Sequence, residues 1–275
     1  EIRLSLVGSE MCIRDRNPPK RWDKIIGAVT LLTIVIFGFI IYNDYNGSSS
    51  KTASVNAEKN TVKQTESEKV TKAETDTKKN SNRTQVQGNP TVCIDAAHGG
   101  SSTGGASGNY TEKAITLSVA LKVKEYLEES GVNVVMTRTS DKDVTNEQRV
   151  KTCNDSKASA MVSIHMNSAD KTVTAKGAEC WVHTKKPADS QKLAEDVLKQ
   201  LKSEAGFNDR GVKYGTVADN QENYYINSYS SCASMVLQLG FITDSTDVKL
   251  VTDKLDTTAT AIADGIVEYL NGKAH

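Results

Sequence analysis

The uncharged run from Ile25 to Tyr42 (IIGAVTLLTIVIFGFIIY) divides this chain into unlike parts. As a helix, at about 1.5 Å per residue, it reaches roughly 27 Å, close to the hydrocarbon thickness of a bilayer. A buried core helix is the other reading, but polar sequence flanks the run and no partner helix lies nearby. Lys20, Arg21 and Lys24 precede it, whereas Asn43 and Asp44 follow. The positive-inside rule therefore puts residues 17–24 in the cytoplasm as a short basic flank and everything beyond Tyr42 outside. A cleavable signal would need an A-x-A site soon after the apolar run, and none follows closely. The expectation is an uncleaved, single-pass membrane anchor at 25–42.

The segments around the anchor differ in kind. Residues 1–16 (EIRLSLVGSEMCIRDR) sustain neither a helical nor a strand period. They resemble translated adapter or vector sequence and are set aside as a non-native leader, a cytoplasmic tail being the other reading. Residues 43–88 are mostly Ser, Thr, Asn, Lys and Glu, with Tyr45 the sole aromatic. Such a stretch buries too little apolar area to offset chain entropy, so a disordered linker is expected, with an r.m.s. reach of roughly 35–40 Å.

The whole chain balances 34 Lys+Arg against 34 Asp+Glu, but the balance is a sum of opposites. Residues 1–88 carry 14 and 10 (net +4), and residues 89–275 carry 20 and 24 (net −4). An acidic domain facing outward excludes nucleic acid as a partner.

Residues 89–275 suffice for one domain. Strands are expected at 91–96, 132–137, 158–165, 177–184 and 234–240. Helices are expected at 112–129, from a Thr145–Gln148 capping box to about 156, at 189–205 and at 254–270. This alternation predicts an α/β fold, a mostly parallel twisted sheet with helices on both faces.

Ligands in such sheets bind beyond the carboxyl ends of the strands. His98 follows the first strand, His165 ends the third, and Gln238 lies near the end of the last. Glu112 opens the first helix after a Gly/Ser loop that can fold it back toward His98. Two imidazoles and a carboxylate suit Zn²⁺ with a position left for water. Unrelated polar residues at strand ends are the competing reading. His183 reads as a surface or packed imidazole, and His275 as a frayed terminus. Of the five cysteines, Cys12 lies in the leader, and Cys93, Cys153, Cys180 and Cys232 form no CxxC pair and default to buried thiols, their pairing open. The sequence holds neither a GxSxG motif nor a phosphate loop.

HGG at 98–100, Glu112-Lys113, TRTSD at 137–141, Arg149 with Asn154, SIHMN at 163–167, DRGV at 209–212 and LQLGF at 237–241 occur in one order. That order, across 91–270, is similar to the zinc-dependent N-acetylmuramoyl-L-alanine amidases of bacterial cell-wall turnover. The resemblance implies an amidase-like catalytic domain at 89–275 with zinc held by His98, Glu112 and His165. It further implies peptidoglycan as substrate, cut between the lactyl group of N-acetylmuramic acid and L-alanine, on the cell-wall side of the membrane.

Two positions depart from the family pattern. DAAHGG replaces the usual DPGHGG, which alters the turn at Ala96 and Ala97 without removing a ligand. Gln238 stands where the family has its catalytic Glu, and an amide cannot relay a proton. Glu222 is the only carboxylate in the stretch just upstream (NQENYY). The rival to an active amidase is therefore a catalytically impaired, zinc-retaining module that binds or regulates at the wall. A zinc peptidase acting within the stem peptide is the weaker rival. No oligomeric state is read from the sequence.

Overall fold

The computed structural model describes residues 83–170, 174–217 and 221–273. The leader, the apolar run at 25–42 and most of the linker lie outside these residues. None of the described helices is long and apolar enough to cross a membrane.

Strand β1 (Thr91–Ala96) is followed by a two-stranded hairpin, β2 (Ala106–Ser107) and β3 (Tyr110–Thr111), and then by helix α1 (Glu112–Glu129). Next come β4 (Asn133–Met136), α2 (Asn146–Asp155), β5 (Ala160–Asn167) and β6 (Ala178–Val182). Helix α3 (Ala188–Gln200) runs into a wider turn over Leu201–Ala205 that stops at Gly206. Strand β7 (Asp209–Tyr214), α4 (Tyr225–Tyr229), β8 (Ala233–Phe241), α5 (Ser245–Thr252) and α6 (Leu255–Gly272) complete the domain.

The main sheet has the order β4-β1-β5-β8-β6-β7. Strands β4, β1, β5 and β8 are parallel, whereas β6 runs antiparallel to β8 and carries β7 parallel to itself. The expected mostly parallel α/β sheet is present. Its far edge is reversed, and β7 was not expected as a strand. DRGVKY is only partly buried and contains Gly, so it lacks the apolar run that marks the central strands.

Side-chain alternation sorts the strands onto two faces. Val92 and Ile94 of β1, Val162 and Ile164 of β5, and Met235, Leu237 and Leu239 of β8 share one large core with α1, α3 and α6. Their neighbours Cys93, Met161 and Val236 belong to a smaller cluster with Val150 and Cys153 of α2 and Ile226 of α4. Helices thus cover both faces, as the alternation of elements requires. The capping box forms with both arms: Gln148 N–H donates to Thr145 Oγ1, and Thr145 N–H donates to Gln148 Oε1.

Packing begins upstream of Asn89. Val86 is buried in the large core and its N–H donates to the Ser130 carbonyl at 2.9 Å. Arg83 donates to Ser130 Oγ and pairs with Asp264 on α6. The end of the expected linker is thereby part of the folded unit.

Candidate metal centre

His98, Glu112 and His165 converge. Their potential ligand atoms all lie within 4.8 Å of one another, and among the described residues they form the one such His/Cys/Asp/Glu group. His98 Nε2 is 3.2 Å from Glu112 Oε2, and His165 Nδ1 is 3.1 Å from Glu112 Oε1. The two rings meet edge to face with centroids 5.3 Å apart.

Each group is held by a second contact. Glu112, the first residue of α1, accepts from Gly105 N–H at 2.8 Å on Oε2 and from Met166 N–H at 2.9 Å on Oε1. Its carboxylate is 5% exposed, so its charge must be matched locally. Burial alone would raise its pKa, but the two histidines hold it well below the usual carboxylate range. Position also helps, because a negative charge is favoured at a helix N-terminus. His98 Nδ1 lies 2.9 Å from Ser102 Oγ, which leaves Nε2 facing the carboxylate. Gly104 lets the loop close over the cluster, since a Cβ there would sit 2.5 Å from Glu112 Oε2 and 2.7 Å from His98 Cδ2.

Two buried arginines fix the strand end that presents His98. Arg149 Nη1 donates to Asp95 Oδ1 at 2.6 Å and to the Ala96 carbonyl, and Nη2 donates to the His98 carbonyl at 2.8 Å. Arg138 donates from Nε to the Ala96 carbonyl and from Nη2 to the carbonyls of Ala97 and Lys113. Together they hold successive carbonyls of the turn while His98 adopts a left-handed φ of 60°. That conformation is uncommon for a residue with a Cβ and persists when its surroundings enforce it. The DAAHGG turn therefore presents its imidazole through arginine-held carbonyls. Both arginines lie in motifs noted in the sequence, but the pattern gave no hint of this carbonyl clamp.

Gln238 is the register partner of both His165 on β5 and Glu179 on β6, so the three side chains share one face of the sheet. Gln238 is 7% exposed, and its Oε1 is buried without a hydrogen-bond partner among the described residues. Glu179, which sequence reasoning missed, is 1% exposed. Its carboxylate accepts from Asn167 Nδ2, Trp181 Nε1 and Arg210 Nε, at 3.0, 3.0 and 2.8 Å. Three hydrogen bonds, spread over both oxygens, hold this carboxylate beside Gln238. Its signal in the sequence was a charged residue inside an apolar strand, GAECWV. Glu222 accepts from Thr184 Oγ1, and His183 Nδ1 accepts from Lys185 N–H. Neither belongs to the cluster.

The donor set fits a small divalent ion of the zinc kind. Ligand distances of roughly 2.0–2.2 Å put neighbouring donors of a tetrahedral site roughly 3.3–3.6 Å apart, inside the 4.8 Å within which the three ligand atoms lie. Two imidazoles and one carboxylate make a three-ligand set of the catalytic type.

This is an α/β domain with a His/Glu/His cluster beyond the carboxyl ends of its parallel strands. The chain belongs to the N-acetylmuramoyl-L-alanine amidase family, whose model matches residues 92–268. It is 37% identical over 182 residues to the uncharacterized protein YqiI of Bacillus subtilis, a match covering 65% of this chain and 84% of YqiI. It is 32% identical to the N-acetylmuramoyl-L-alanine amidase LytC of the same organism, over 65% of this chain and 35% of LytC. Among solved structures, it resembles an N-acetylmuramoyl-L-alanine amidase from Clostridium difficile 630. That likeness has a TM-score of 0.62 and 30% identity, and covers 67% of this chain and 98% of the other.

Proposed function

We propose that this chain is a membrane-tethered, outward-facing zinc amidase of peptidoglycan, working slowly because Gln238 stands at the position of the family's catalytic Glu. The reaction is hydrolysis of the amide between N-acetylmuramic acid and L-alanine of the stem peptide. The convergence of His98, Glu112 and His165 in a chain of this family carries the reading. Zinc held by these three residues would supply Lewis acidity for the amide carbonyl and a water of lowered pKa.

The chain's own residues do the rest. Arg138 and Arg149 set the turn that aims His98. Glu112 is oriented by two backbone N–H groups and joins the two imidazoles. Gln238 can donate or accept a hydrogen bond at the reacting amide, but it cannot carry a proton between water and the leaving amine. Losing that transfer costs about 10²–10⁴ in rate. Anchoring at 25–42 would hold the domain outside the membrane, within reach of the wall.

Gln238 also favours a second reading, a wall-binding module that retains zinc and no longer hydrolyses. Digestion of purified muropeptides by the zinc-supplied chain separates the two. New L-alanine amino termini above a metal-free control support the amidase. Muropeptide binding without such termini overturns hydrolysis in favour of the binding module.

A further inference from the structure

Four cysteines lie among the described residues, all as free thiols. Two of them meet: Cys153 Sγ on α2 and Cys232 Sγ, just before β8, are 3.6 Å apart although 79 residues separate them in sequence. Cys153 is fully buried, and Cys232 is partly open to solvent. The backbone around them is already pinned. Asn154, next to Cys153, donates from Nδ2 to the Tyr229 carbonyl at 3.0 Å. Its Oδ1 accepts from Ser231 N–H at 2.9 Å and from Ser231 Oγ at 3.0 Å. The segment leading into β8 is thus fastened to α2 beside both thiols.

We infer that Cys153 and Cys232 are a redox-modification site, oxidised to an intramolecular disulfide by thiol–disulfide exchange with an external disulfide. A disulfide S–S distance is about 2.05 Å, so the sulfurs, now 3.6 Å apart, must approach by about 1.5 Å to bond. Cys232, the more exposed of the two residues, attacks the external disulfide through its sulfur, releases one thiol and forms a mixed disulfide. The buried Cys153 sulfur then attacks Cys232 and releases the second thiol. One S–S bond forms and one breaks. The two protein thiols are oxidised, the external disulfide is reduced, and both protons leave with the two released thiols.

The bond has structural consequences. It would join α2, whose Arg149 holds the His98 carbonyl, to the entry of β8, whose Gln238 pairs in register with His165. Cys93 belongs to the same apolar cluster as Cys153, so it is the competing partner. Cys180 lies in the opposite core.

The full chain is incubated with oxidised or reduced glutathione, its free thiols are alkylated, and intact mass and peptide maps are recorded. Whatever the state of Cys12, the oxidised sample should yield a cross-linked peptide pair containing Cys153 and Cys232, two hydrogens lighter than the two reduced peptides together, with Cys93 and Cys180 alkylated. Cys93→Ser should retain the cross-link, and Cys232→Ser should lose it while melting like the reduced wild type. A persistent glutathione adduct on Cys232, a cross-link through Cys93, or alkylation of both Cys153 and Cys232 overturns the inference.

Discussion

Gln238 on β8 sits directly beside His165 on β5 in the sheet register, with its Oε1 buried and unpartnered. A carboxylate in the same place would have the same reach and would add proton transfer. Gln238→Glu is therefore expected to raise muropeptide hydrolysis by about 10²–10⁴, without changing zinc stoichiometry. Parallel measurement of initial rates and bound metal checks both halves. An unchanged rate would mean that the amide at 238 is not what limits turnover.

Arg149 is a structural keystone as well as a clamp. Replacing it with Leu leaves Asp95 buried and unpaired, and breaking a buried ion pair costs about 3–5 kcal/mol. Urea unfolding of Arg149→Leu should show a loss in that range. Asp95→Asn keeps the shape but leaves Arg149 buried without its counter-ion, so a loss of about the same size is expected.

The same pair predicts an acid limb of stability. Burial would raise the Asp95 pKa, but Arg149 and hydrogen bonds from Ser163 and Thr137 outweigh it and hold the carboxyl below its ordinary range. A carboxylate depressed on folding stabilises fully above its unfolded pKa, and that stabilisation is lost as pH falls through the folded value. The Asp95 contribution should thus hold above about pH 5 and fade below pH 4. Unfolding midpoints from pH 6 to pH 2 should fall less steeply for Asp95→Asn than for the wild type.

Metal binding should be visible in stability. A ligand that binds only the folded state, at about a hundred times its Kd, adds about 2.7 kcal/mol. Zinc should raise the melting temperature of the wild type, and a chelator should reverse the rise. His165→Ala and Glu112→Gln should show no zinc-dependent shift.

Asp247, the third residue of α5, tests the carboxyl end of β8. Its Oδ2 accepts from the N–H groups of Gly177 and Phe241, both at 2.8 Å. Asp247→Ala would orphan two buried donors, at about 1–3 kcal/mol each. Denaturant unfolding of this variant gives the total directly.

Central strands and long helices were legible in the sequence because burial writes periodicity into it. The runs TVCIDA and SMVLQLG are apolar on both faces, as strands covered on both sides must be. The reversal of β6 and β7 was not legible, since strand direction depends on how the chain crosses the sheet. Helix α5 was missed although Asp244 caps it, accepting from Thr246 and Asp247 N–H; its eight residues carry too short a period. In the site, His98, Glu112 and His165 were candidates from their places at strand and helix ends, and the family resemblance of HGG, Glu112-Lys113 and SIHMN singled them out. The two arginines under the turn, and Glu179 beside Gln238, act through tertiary contacts that no local pattern records.

The convergence of His98, Glu112 and His165 on one metal ion is the claim on which the functional account rests. Anomalous diffraction from crystals of the zinc-supplied protein, collected on both sides of the zinc edge, tests it most directly. The account predicts one strong zinc peak bonded to all three side chains at about 2.0–2.2 Å. A peak held by other residues, or no peak at this cluster under zinc excess, would contradict it.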